Sequence, residues 1–364
     1  MNRCEPILTA RNLVVERGGA QVLSVPEFDL HSEETVALIG PNGAGKSSLL
    51  LALAALLQSA SGEIRYHGEP ISAAGNATAY RRRIAMVFQE PLLFDTTVFD
   101  NVASGLKIRG IPAGEIRRRV GECLDRFHIS NLADRSACRL SGGEAQRTSL
   151  ARAFATRPEV VLLDEPFTSL DPPTRRLLMD DLAQVLRETG SSAVIATHDQ
   201  MEALRLADRM MVMQGGQIVQ SGTTAEVTAN PVNAFAASFV GMENVFAGTI
   251  ISAEGGMLML DLSGMKLEIV GSGNPGERVV VCAHPEHVVV TISDPAHRTS
   301  ARNVFPGTIK RIVPLGPISK VYLDCGLPLV AAVTGHSLDE LGLAPGSPVY
   351  ASFKATSVHL YRKG

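Results

Sequence analysis

From about residue 6 to residue 235, short apolar runs alternate with longer helix-forming stretches. The runs predict strands over 35–39, 84–88, 160–163, 193–197 and 209–213, and the stretches between them predict helices over 48–57, 114–127, 144–155, 174–189 and 200–207. Strands regularly followed by helices are the pattern of an α/β domain with a largely parallel central sheet. Beyond Asn230 and Pro231 the character changes. From about 243 onward, Val- and Ile-rich runs are separated by Gly and Pro turns at close intervals, which predicts small all-β units.

Those units repeat. NVFAGTI at 244–250 returns as NVFPGTI at 303–309, six identities in seven and fifty-nine residues on. A second echo sets Gly276 and Val279 against Gly346 and Val349 at a displacement of seventy, so the later copy carries an insertion. Two similar small barrels, about 243–293 and 299–362 and joined near 293–299, are the economical reading. A chain of 364 residues exceeds what one hydrophobic core usually serves, and a division at about 240 into an α/β unit (1–240) and a β-rich tail (241–364) suits it.

Charge and composition narrow the function. A net charge of -3 with Lys and Arg evenly spread gives no bulk electrostatic reason to bind nucleic acid or anionic lipid. The longest apolar run, 49–57, falls well short of the roughly 20 residues that span a bilayer, so no membrane segment is expected. The opening MNRCEP lacks the apolar core of a signal peptide, and secretion is not expected. Five dispersed cysteines without a CxxC pair suit reduced thiols in a cytosol.

The sharpest chemical signal is GPNGAGKS at 40–47, placed between a predicted strand and a predicted helix. Such a loop turns successive backbone N–H groups toward phosphate oxygens, and a helix N-terminus adds partial positive charge. The candidate phosphate-binding set is Gly40, Pro41, Asn42, Gly43, Ala44, Gly45, Lys46, Ser47 and Ser48, with Lys46 on the outer phosphates and the Ser47 hydroxyl on Mg²⁺. Asp164 and Glu165 end the apolar strand 160–163; beside a phosphate loop, Asp164 suits a metal ion and Glu165 suits the activation of water. His198 and Gln89 end two further strands. Taken singly, a strand ending in Asp-Glu, a histidine or a glutamine is an ordinary structural feature. LSGGEAQR at 140–147 adds a second glycine-rich helix start.

Five motifs in this order and spacing resemble the ATP-binding cassette family over about residues 6–235. The resemblance implies that 40–47 is the Walker A loop, Gln89 the Q-loop glutamine and metal contact, and Ser141, Gly142 and Gly143 the signature. It implies that Asp164 and Glu165 are the Walker B carboxylate and catalytic base, Asp171 belongs to the D-loop and His198 is the switch histidine. It further implies ATP and Mg²⁺ as ligands, a helical subdomain at about 90–155, and a head-to-tail homodimer in which the signature of one copy closes on ATP held by the other. Membrane permease subunits would dock near 89–101. Where the family stacks an aromatic residue on adenine, this chain has Arg17, and both a stacked guanidinium and a solvated one fit.

One cassette followed by a β-rich tail resembles the ATPase subunits of prokaryotic importers, acting at the cytoplasmic face of the membrane and fed by an external binding protein. The tail over 299–362 resembles the molybdate/tungstate-binding barrels of oxyanion carriers and importer ATPases. Ser300, Arg302, Thr334, Lys354 and Thr356 are its candidate oxyanion residues; the first copy has Glu243, His284 and Glu286 at the places of Arg302, Lys354 and Thr356. Arg302 and Lys354 as solvated surface charges is the competing reading. Importers of sulfate, ferric iron or a polyamine, a soluble cassette ATPase and an intracellular oxyanion store are the alternatives at the level of function.

Overall fold

The computed structural model describes residues 5–71, 75–295 and 299–362. The chain forms two compact units, Met1–Ala225 and Glu226–Gly364.

In the first unit a six-stranded sheet runs in the order Gln217–Thr223, Arg209–Gln214, Thr35–Ile39, Ser192–Thr197, Val160–Asp164, Ile84–Val87. All neighbours are parallel except the first pair, a hairpin. Its central strands are buried on both faces, and their residues alternate between two cores. Val161, Leu163, Ala193 and Ile195 pack with the helices Val98–Ile108, Ala113–Arg126 and Gly142–Ala155, and with Leu178 and Leu182 of Pro172–Thr189. Val36, Leu38, Val160, Leu162 and Val194 pack with the helix Lys46–Leu53 and with a separate antiparallel sheet built on Pro6–Arg17 and Ala20–His31.

The helix boundaries follow local chemistry. Lys46–Leu53 begins two residues before the expected 48 because Gly45, at φ 99°, turns the chain into it, and it stops where Ala55 takes φ 54°. Gly142–Ala155 starts at a capping box: Oγ of Ser141 accepts from the Glu144 N–H, and the Glu144 carboxylate accepts from the Ser141 N–H at 2.8 Å. Val98–Ile108, absent from the expected elements, is capped by Thr97, whose side chain accepts from the Asp100 N–H at 3.1 Å.

The second unit is all-β, as expected, and holds two five-stranded sheets between which the two copies exchange strands. The first sheet runs Met265–Val270, Met257–Leu262, Asn244–Glu254, Arg278–Ala283 and then His359–Arg362 from the later copy. The second runs Val289–Thr291 from the earlier copy, then Pro348–Phe353, Asn303–Leu315, Ile318–Asp324 and Pro328–Thr334. Each copy thus surrenders its last strand to the other, and residues of both fill one shared core. The connecting residues 284–288 and 354–358 contain no Gly or Asn for a tight reversal, and each forms a short 3₁₀ turn instead. Of the expected joint at 293–299, residues 296–298 lie outside the described residues.

Candidate functional site

Parallel register brings the candidate residues to one edge. Ile39 pairs with Thr197, Asp164 with Ala196 and Val87 with Leu163. The loop at 40–45, His198, Glu165 and Gln89 therefore all leave neighbouring strands at their carboxyl ends, where open α/β sheets bind ligands.

The phosphate loop is a backbone device that tolerates no extra carbon at its first glycine. A Cβ on Gly40 would stand 2.4 Å from the Met213 carbonyl oxygen. Lys46 crosses under the loop, its Nζ donating to the Gly40 and Pro41 carbonyls at 2.8 and 3.1 Å. Burial pulls its ammonium below the ordinary lysine range, against the opposing pull of Glu165, whose Oε1 lies 3.6 Å away. The Ser47 hydroxyl donates to Oδ1 of Asp164 at 3.0 Å. Burial raises the Asp164 carboxyl, with the Ser47 hydrogen bond opposing and neighbouring Glu165 adding to the shift. Ser48 is half-buried in the first turn of the helix, and Pro41 is half-buried while Asn42 and Gly43 are exposed.

Glu165 adopts φ 43°, a left-handed backbone that a carboxylate residue visits only where its surroundings impose it. Its N–H donates to the Ala196 carbonyl at 2.9 Å, which holds the turn. Its Oε2 accepts from the Thr168 hydroxyl at 3.0 Å and lies 3.1 Å from Nδ1 of His198. The carboxylate is thus aimed by two partners, Thr168 and the exposed His198. Nothing in the sequence marks Thr168, three residues beyond Glu165, as a partner of that carboxylate.

Ser47 Oγ and the Asp164 carboxylate are hard oxygen donors, and no group of three His, Cys, Asp or Glu side chains among the described residues could hold a metal ion. That donor set fits Mg²⁺, which keeps much of its shell for water and phosphate oxygens, and does not fit a protein-caged metal. Gln89 stands exposed two residues beyond its strand.

The signature residues sit elsewhere. Ser141, Gly142 and Gly143 line a cavity of about 410 Å³ with Ser169, Asp171 and Thr174, and no residue of 40–48 lines it. Asp171 caps Pro172–Thr189 by accepting from the Thr174 N–H at 3.2 Å. Hydrogen bonding to Thr174, through its side chain first and its backbone N–H second, holds the Asp171 carboxyl below the usual range. Within one chain, residues 40–48 and Ser141 to Gly143 therefore do not line a common cavity.

Residues 23–168 match the family model described as ABC transporter, and residues 299–360 match the TOBE domain. Two curated relatives, the molybdate/tungstate import ATP-binding proteins WtpC of Pyrococcus horikoshii and Pyrococcus abyssi, are 37% and 38% identical to this chain over 339 residues. The alignments cover 92% of this chain and 94% of each relative. The chain belongs to the ABC transporter family. A solved structure of cbiO1 from Clostridium perfringens, described as part of the ABC transporter complex cbiONQ, matches the ABC fold with a TM-score of 0.59 and 32% identity. It covers 62% of this chain and 92% of that one.

Two parts of this ABC protein depart from a simple carry-over. Arg17 is exposed at the tip of the Pro6–Arg17 and Ala20–His31 hairpin, beside Gly18 and Gly19. In the tail, Asn303 pairs with Phe353, so Arg302 and Lys354 adjoin one end of the strand Asn303–Leu315. Thr334 pairs with Ile318, which pairs with Leu315 at the other end. Within one chain the register therefore divides the five candidates rather than gathering them along one edge. Thr334 also has local work, its hydroxyl capping Gly335–Glu340 by accepting from the Ser337 N–H at 3.2 Å. Ser300, Arg302, Lys354 and Thr356 are exposed, and Arg302 reaches only a 4.0 Å approach to Glu268. Among the described residues no helix is long and apolar enough to cross a membrane.

Proposed function

We propose that this chain is the ATP-hydrolysing subunit of an importer for molybdate or tungstate. The observation that carries the catalytic half is the convergence of Lys46, Ser47, Asp164, Glu165 and His198 on one sheet edge. The oxyanion half rests on relatives whose similarity runs through 92% of the chain, tail included.

In this reading the loop amides and Lys46 take the phosphates of ATP. Mg²⁺, held by Ser47 with Asp164 and Gln89 nearby, would supply charge neutralisation at those phosphates. Glu165, fixed by Thr168 and His198, orients the attacking water and accepts its proton. Ser141 to Gly143 and Asp171 complete the site of a second copy, since their cavity contains none of the chain's own phosphate loop. The homodimer works peripherally at the cytoplasmic membrane face on two permease subunits, which receive cargo from an external binding protein.

The tail then reports the imported oxyanion, with Arg302 supplying a planar fork of donors and Lys354 a compact charge. Calorimetric titration of the full chain with molybdate, tungstate and sulfate tests this. Molybdate and tungstate should bind, sulfate should not, and Arg302→Ala should weaken binding by about tenfold or more, the loss of one charge-assisted contact. Preference for sulfate would favour a different importer, and silence with all three anions would remove the sensing role from the tail.

A further inference from the structure

Beside the switch histidine lies a buried charge that phosphate binding does not explain. Glu202, in the first turn of Gln200–Leu206, is 3% exposed. Burial raises its carboxyl above the usual range, and such a group persists only where partners satisfy it. Its Oε2 accepts from the Thr197 hydroxyl at 2.5 Å, and its Oε1 lies 3.8 Å from Nη1 of Arg175. The same Nη1 donates to Oδ2 of Asp199 at 2.8 Å. Asp199 donates its N–H to the Thr197 hydroxyl at 2.9 Å and accepts from the Met201 N–H at 2.8 Å. His198 is therefore flanked by two residues that are bonded to each other and tied to one guanidinium, directly at Asp199 and through Glu202 at Thr197.

That guanidinium comes from another element. Arg175 occupies the first turn of Pro172–Thr189, and its N–H bonds to the Asp171 carbonyl at 2.9 Å. It spans the D-loop turn and the histidine segment with a side chain whose Nε is buried and unpartnered among the described residues.

We propose that Arg175 is a positioning residue for hydrolysis, holding Asp199 and Glu202 so that the backbone from Thr197 to Asp199 presents His198 to Glu165, and coupling that presentation to the Asp171 turn. The inference rests on the ATPase reading. In the head-to-tail homodimer of that reading, Asp171 would face the nucleotide of the second copy and His198 the chain's own, and Arg175 would join the two sites.

The test compares ATP hydrolysis and thermal unfolding of the full chain with those of Arg175→Gln, Arg175→Lys and the double variant Arg175→Gln with Glu202→Gln. Misplacing His198 should cut kcat by about tenfold to a hundredfold in Arg175→Gln at unchanged KM for ATP, with partial rescue in Arg175→Lys. The double variant removes the unpaired buried carboxylate, so its melting temperature should recover while turnover does not, because Asp199 still lacks its anchor. Turnover returning together with the melting temperature, or Arg175→Gln within twofold of the parent, would overturn the proposal. Hydrolysis by the parent and its loss in Glu165→Gln mark the ATPase reading as sound whatever Arg175 does; a parent without hydrolysis would overturn both.

Discussion

Replacing Glu165 by Gln should lower ATP turnover by about 10²–10⁴-fold while leaving ATP binding intact. The amide keeps an acceptor oxygen for the Thr168 hydroxyl, so the turn at φ 43° and the neighbouring 3.1 Å contact to His198 have no reason to rearrange. What the amide lacks is the ability to take a proton from water. Lys46 loses its anionic neighbour at 3.6 Å but keeps both carbonyl acceptors of the loop, and the phosphates restore its counter-charge. With binding intact and hydrolysis blocked, two copies should remain closed on ATP. Phosphate release gives the first quantity, and light scattering during gel filtration with ATP gives the second. Turnover within tenfold of the parent would mean that another group activates the water.

The gathering of Lys46, Ser47, Asp164, Glu165 and His198 at one sheet edge was legible because its signals are local. A phosphate loop announces itself by glycine spacing, and a strand ending in Asp-Glu needs only a neighbouring strand to become a site. LSGGEAQR at 140–147 starts a helix in sequence as in structure, and the structure adds the capping box of Ser141 and Glu144. The coupling through Arg175 was not legible, because Thr197, Asp199 and Glu202 meet a residue 24 positions before Asp199 and no short pattern encodes that meeting. Strand exchange in the tail was hidden for a different reason. Alternating Val and Ile positions specify which side chains are buried, and Val281 or Ala351 would be equally buried in its own barrel or in a shared one. The separation of Thr334 from Arg302 follows from register, which composition cannot supply.

The repeated asparagine predicts the second large effect. Asn244 is fully buried; its Nδ2 donates to the Val330 carbonyl at 2.9 Å and its Oδ1 accepts from the Val330 N–H at 2.7 Å. Asn303, its counterpart in the later copy, does the same for Glu268, at 2.8 Å in both directions. Each asparagine thus pairs the backbone of an edge strand in the opposite copy, replacing the neighbour that an edge lacks. Asn244→Ala leaves both backbone groups of buried Val330 unmet, which should cost about 2–4 kcal/mol. Because both copies line one core and trade their last strands, the loss should not stay local. Hydrogen exchange of the full chain should accelerate by about 30-fold to 1000-fold, the same free energy read as a rate, in the amides that exchange by global opening of the tail. The acceleration should be equal in Met257–Leu262 and Ile318–Asp324, one strand from each copy. Acceleration confined to one of those strands would show that the copies fold as separate barrels after all.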